Sequence, residues 1–314
     1  MLVIGEVQTC LLQNAAAANR AAVAQLLRLA PGERVRTSER PVAHAVSPEL
    51  FNGVDCLLPS ERGVRTRGIG TVTARAVITG GRVLQGSVFT TINPGSDTRR
   101  LPWSHYLARP GAIETIGQFD ELDVLSGFLT DKPQESTLDL AALGDRVIAA
   151  VQTNSLLDHA IPFKSRRTRL RWAMLSGLEN GAPAEFVVAD DTLRTFRVAL
   201  PGDANLAMAG FCEDLALHDW VLSTVSLLIE RSGIGSGDAS QILTRLRPAI
   251  DHLLHLWMPG ALVAESLRPL WDSLERWPGF SKQWDALVAR VRDQIAVQTV
   301  ELLSRTRTAA PELV

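Results

Sequence analysis

Asp214 and His218 stand four residues apart in FCEDLALHDWVLSTVSLLIER, Phe211 to Arg231. On a helix that spacing brings two side chains within reach of each other. A general base and its orienting acid need the same proximity. At about 100° per residue, Leu215, His218, Leu222, Val225 and Ile229 fall within roughly 40° of Phe211. His218 therefore lies in the middle of an apolar stripe. A buried polar group without a partner costs on the order of 1–3 kcal/mol, and the Asp214 carboxylate can accept a hydrogen bond from the ring. The sequence shows no Gly-x-Ser-x-Gly elbow and no other marked nucleophile. Asp214 and His218 thus read as a structural pair, with catalysis as the alternative and no catalytic residue assigned. Trp220 and Leu227 fall on the opposite side of the same helix, which predicts burial on two faces.

The densest basic stretch is KSRRTRLRW, which holds Lys164, Arg166, Arg167, Arg169 and Arg171. In an extended chain Arg167, Arg169 and Arg171 share one face, a row that can grip phosphates by charge and paired hydrogen bonds. The plain reading is a solvated edge strand whose charges discourage strand pairing. An acidic partner surface, such as Phe119–Asp123 of another copy, is a third reading. In WSHYLARPG, the residues Trp103, His105, Tyr106 and Arg109 could line a pocket for an anion or a ring; a packed loop is the alternative. His252 and His255 stand three apart and could hold a divalent metal if a carboxylate joined them, but no second ligand motif accompanies them. RGIGT and SGIGSGD lack the Gly-Lys-Ser/Thr of a phosphate loop, and SGIGSGD reads as a helix end followed by a Ser236 or Asp238 cap. No cofactor and no metal are expected.

These residues sit in a chain of 314 residues, 46% hydrophobic and 21% charged, with a formal net charge of −2. Such a chain can bury a large core without staples and has no global attraction to polyanions. Three scattered cysteines give neither a disulfide framework nor a zinc motif. MLVIGEVQTC reads as a first strand rather than a leader, and no apolar run is long enough for a membrane span. The expected location is the cytoplasm, without a membrane.

The fold class expected is α+β. Residues 1–135 read as a strand-rich part and 136–314 as a mostly helical part, although one continuous globule stays open. Thr71 to Ile92 predicts a hairpin, since Gly80-Gly81 suits a two-residue type I′ turn. The segment 40–70 is rich in turn residues, with a short strand at Val54–Leu58. Residues 15–29 predict a helix. Ser136 or Thr137 predicts a helix cap, and DKPQEST, residues 131–137, predicts the internal boundary. A second hairpin near 184–200 turns at Asp190-Asp191. Helices follow at about 205–231, 239–258, 262–277 and 282–304, with Pro248 and Pro269 as kinks or splits. Trp284, Val288, Val291 and Ile295 form a helical seam broken by Gln298, with Leu302 one heptad on. Internal packing is the first reading of that seam and a partner is the second.

Four segments, GEVQTCLLQN, ITGGRVLQGS, HYLARPG and DLALHDWVLSTV, resemble an uncharacterised family of actinobacterial proteins. The similarity covers most of the chain. It implies a gene neighbourhood with a P-loop ATPase-like protein and a SAM-dependent methyltransferase, and so a protein partner, but no site residues. The sequence expectation is a non-catalytic accessory or scaffold component that binds other proteins of its gene system, with homo-oligomers open. Nucleic-acid or nucleotide binding through residues 164–172 is the alternative, and an enzyme of unknown reaction the second.

Overall fold

The computed structural model describes residues 1–95, 99–130, 136–176, 184–200, 205–233 and 239–309. In chain order these form β1 (Leu2–Leu11), α1 (Arg20–Leu26), β2 (Arg36–Ser38), β3 (His44–Val46), β4 (Leu50–Leu57), β5 (Arg67–Thr79) and β6 (Val83–Pro94). Then come α2 (Trp103–Leu107), β7 (Ala112–Ile116), α3 (Glu121–Leu129), α4 (Leu140–Gln152), β8 (Thr168–Ser176), β9 (Glu185–Val188) and β10 (Leu193–Leu200). The chain closes with α5 (Asn205–Ser232), α6 (Ala239–His252), α7 (Arg268–Arg276) and α8 (Phe280–Ala309). Strands concentrate in the first part and helices in the second, so the fold class is α+β.

All ten strands join one mixed sheet, in the order β2-β3-β5-β7-β6-β1-β8-β10-β9, with β4 beside β5 and β5 also paired to β6. The β5–β6 hairpin forms where Gly80 and Gly81 take φ of 60° and 61° and Arg82 N–H donates to Thr79 C=O. Thr79 faces Val83, so three residues separate the strands rather than two. Gly81 has a second reason to be glycine, since a Cβ there would meet Ala18 O at 2.1 Å. At its open end the hairpin splays, and β7 enters between Arg67–Gly70 and Thr91–Pro94. The strands on either side of residue 135 share this sheet, because β1 pairs with β8 over eight residues from Leu2 to Thr9. Of the expected boundary, residues 131–135 lie outside the described residues.

Apolar residues on both sheet faces make this a layered structure. One face packs Leu2, Ile4, Val88 and Ala173 against Leu26, Phe128, Leu143 and Ile148 of α1, α3 and α4. Asp139, not Ser136 or Thr137, caps α4 by accepting from Ala142 N–H at 3.0 Å. The other face packs Val3, Val7, Trp172 and Phe196 against Phe211, Leu215 and Trp271 of α5 and α7. A third cluster joins Trp220, Val221, Leu246 and Trp284 of α5, α6 and α8. Every residue from Phe211 to Trp220 is buried, so α5 is enclosed between the sheet and the other helices. The first helix is shorter than 15–29, starting after the Asn19 cap. Pro248 lies inside α6 and that helix continues through it, while Pro269 falls in the first turn of α7. Among the described residues no helix is long and apolar enough to cross a membrane.

Candidate functional site

The strand alternation of β5 sends Val72, Ala74 and Ala76 to the α4 face and Arg75 to the α5 face. There Arg75 Nε lies 2.7 Å from Glu213 Oε1 and its Nη1 lies 3.6 Å from Glu49, with both the Arg75 and Glu213 side chains 5% exposed. Burial works against the Arg75 charge, yet Glu213 and Glu49 hold its pKa above the ordinary value. Gln85 of β6 donates from Nε2 to Glu213 C=O at 2.9 Å and Thr9 Oγ1 at 3.2 Å. This polar layer is the floor of a cavity of about 310 Å³. Its walls include Arg36, Ser38 and His44 of the β2–β3 hairpin, Gly210, Asp214 and Leu217 of α5, and Leu262. His44 Nδ1 lies 3.2 Å from Thr79 Oγ1. Burial lowers the His44 pKa and Arg75 and Arg36 add to that, against Glu213, so the neutral imidazole is favoured.

Asp214 and His218 anchor the loop that follows α6. Met258 N–H donates to His218 Nε2 at 3.2 Å and Gly260 N–H donates to Asp214 Oδ2 at 2.9 Å. His218 Nδ1 then carries the ring proton and donates to Asp214 C=O at 2.7 Å. The hydrogen bond therefore goes to the carbonyl one turn back, not to the carboxylate, which stands 3.6 Å away. His218 also packs edge-on against Trp257 at 5.1 Å and Trp271 at 6.0 Å. Asp214 Oδ1, in contrast, is buried and has no hydrogen-bond partner among the described residues. Burial raises the Asp214 pKa, only partly offset by His218 and Gly260.

The arginines of the basic stretch are divided among acidic neighbours. β8 is an interior strand between β1 and β10, not an edge. Its odd positions face α3 and α4, and Glu6 on β1, 1% exposed, meets Arg169 Nε at 2.9 Å and Arg171 Nε at 3.1 Å. Arg171 also stacks over Phe128 and donates to Phe128 C=O. Arg167 reaches Gln8 and Asp145. Arg166, on the other side, contacts Asp191, and Lys164 is exposed. Arg166 and Arg194 line a second cavity of about 300 Å³, but Asp191 and Glu230 line it too, and Arg194 is bound to Asp219 at 2.7 Å.

Trp103, His105, Tyr106 and Arg109 do gather around α2, with one residue the sequence reading omitted. Glu114 of β7 accepts from His105 Nε2 at 2.9 Å and also pairs with Arg109. Tyr106 is buried and its hydroxyl accepts from Leu101 N–H at 3.1 Å. Trp103 packs over Gly53 and under Arg100. His252 stacks on Phe163, with ring centroids 6.0 Å apart. Among the described residues no group of His, Cys, Asp and Glu is placed to hold a metal ion.

α8 supplies a different feature. Its first half packs Phe280, Trp284 and Val291 inward, and Trp257 stacks on Trp284 at 4.4 Å. Farther along, Val297, Val300 and Leu303 are 53%, 63% and 63% exposed. They cover an arc of about 120°, facing away from the buried Val291 and Gln298 side. The seam read from the sequence is thus internal at Trp284 and Val291, whereas Ile295 is exposed.

The residues that sequence reasoning missed are Arg75, Glu213, Arg36 and His44. One signal was available: Arg75 is a charge in the stretch Thr71–Thr79, which is otherwise built of Thr, Val, Ala and Ile. No family model, curated protein or solved structure matches this chain.

Proposed function

We propose that the protein is a non-catalytic cytoplasmic accessory component that holds a partner protein on the outward face of α8. The observation that carries this reading is the exposed apolar row Val297, Val300 and Leu303. Contiguous exposed apolar surface of this kind marks interaction sites. A helix of 30 residues extends about 45 Å, and the row on it is long and narrow, the shape that receives an apolar helix face from a partner. The sequence resemblance to proteins of a multi-gene system agrees, with the ATPase-like protein or the methyltransferase as the partner class. Nucleic-acid binding through 164–172 draws less support, because Glu6, Asp145 and Asp191 take up the arginine charges.

The test is affinity purification from a native-type host, comparing the wild type with a Val300→Asp/Leu303→Asp double variant. Both positions are exposed, so melting temperature should hold. A stoichiometric partner bound by the wild type and lost by the variant supports the reading. A lone wild-type chain, or a partner retained by the variant, refutes it.

A further inference from the structure

We propose that the outer edge of β9 pairs with β9 of a second copy of this chain, antiparallel about a two-fold axis at Val187.

The sheet ends at β2 on one side and at β9 on the other. β2 is three residues long, with Arg36 inside it and Glu39 and Arg40 just beyond. Charges of this kind blunt an edge against pairing. β9 instead carries Phe186, Val187 and Val188 in an unbroken run, and Val187 and Val188 are 43% and 57% exposed. An apolar, β-branched edge is a template for another strand.

Register decides which backbone groups are on offer. Ala189 N–H donates to Leu193 C=O, so these two residues form a hydrogen-bonded pair. Alternation makes Val187–Thr195 and Glu185–Arg197 bonded pairs as well, and leaves Phe186–Phe196 and Val188–Arg194 non-bonded. The N–H and C=O groups of Phe186 and Val188 therefore point away from β10. On that side they meet no partner among the described residues.

Those groups select the partner. Outward residues must face outward residues to exchange both hydrogen bonds of an antiparallel pair. An axis at Val187 sets Phe186 opposite the partner's Val188, and Val188 opposite the partner's Phe186, each pair bonded. Val187 faces the partner's Val187 at the closer, non-bonded spacing. Every one of these side-chain pairs is apolar, which favours association in a sheet, and Glu185 faces the partner's Ala189. Moving the axis to Val188 would set Glu185 against the partner's Asp191 and Phe186 against the partner's Asp190. Moving it to Phe186 would set Glu185 against the partner's Val187. β9 is thus complementary to itself in one register. A four-residue strand buries less than the roughly 1,200 Å² of a stable interface, so the dimer is weak, with a Kd of about 0.1 mM.

The experiment is sedimentation equilibrium on the full chain from about 10 μM to about 1 mM, a range that brackets this Kd. The mass should rise from one chain toward two. Val188→Pro deletes an outward N–H and no bond to β10, and an edge strand tolerates proline there. Its melting temperature should hold while dimerisation weakens by about tenfold or more. Val187→Lys and Val187→Glu should each stay monomeric, and their equimolar mixture should pair, because unlike charges then meet at the axis. A single mass throughout would leave the edge to an extended segment of another protein and overturn the second copy. Association unchanged by Val188→Pro, or a mixture no tighter than its two components, overturns it as well. So does association lost in Val300→Asp/Leu303→Asp but kept in Val188→Pro. The proposal is independent of what α8 holds.

Discussion

Replacing Glu6 by Gln tests whether the basic stretch is internal architecture. Glu6 is 1% exposed and stands between Arg169 and Arg171, whose side chains are 29% and 15% exposed. The amide keeps the shape and removes the charge that both guanidinium groups meet on Glu6. Breaking a buried ion pair from one side costs about 3–5 kcal/mol. The partial exposure of Arg169 places the expected loss near the lower figure, about 3 kcal/mol. In a chain of this length that loss lowers Tm by roughly 5 °C. Replacing all three, as Glu6→Leu with Arg169→Met and Arg171→Met, removes the opposed charges together, and most of the loss should return. Urea unfolding of the single and triple variants measures both quantities. A Glu6→Gln loss below about 1 kcal/mol, or a triple variant less stable than the single, would show that Glu6 does not organise the arginines.

Other expectations follow from the same geometry. Gly81→Ala should cost more than about 2 kcal/mol, because strain at φ 61° adds to a 2.1 Å clash with Ala18 O; Gly32→Ala, with nothing within 4 Å, should cost about 1 kcal/mol, read by thermal melting. Burial pushes the Cys10 and Cys56 thiols from 9.0 to about 11. At neutral pH each should therefore hold about a hundredfold less thiolate than an ordinary cysteine, and thiol-reagent labelling of the folded chain should be slow; labelling at the rate of a model thiol contradicts this. Burial raises the folded Asp214 pKa above 3.8. A raised carboxyl favours the folded state below its unfolded pKa and loses that advantage as pH rises through the folded value. Asp214→Asn should accordingly gain relative stability as pH rises from 3 toward neutrality, and a gain that runs the other way contradicts the burial argument.

Local pattern made much of the fold legible. The alternation in Thr71–Ile92 and the paired glycines marked the β5–β6 hairpin, and Asp190 marked the β9–β10 turn, where its Oδ1 accepts from Thr192 and Leu193 N–H. The two apolar sides of α5 foretold its enclosure. Short elements were hidden: β2 and β3 have three residues each, and β7 has five, inside stretches punctuated by Pro and Gly. The strand character of β3 and β7 comes from pairing with β5, a long-range contact that propensity does not encode, and β2 forms on β3. The same physics explains the arginines. A basic alternation resembles an edge strand unless its counter-ion is known, and Glu6 lies more than 160 positions upstream of Arg169. The cavity draws Arg36, Arg75 and Asp214 from three distant segments, so no spacing motif announces it. Asp214 and His218 were legible as neighbours, but the anchored loop from Met258 to Gly260 was not.

Hydrogen exchange across α8, on the chain alone and on the chain with its co-purified partner, tests the docking proposal most directly. A partner held on the outward face predicts slowed exchange in the peptides spanning residues 295–303, with little change in β8. Protection confined to other elements, with α8 exchanging equally in both samples, would contradict it.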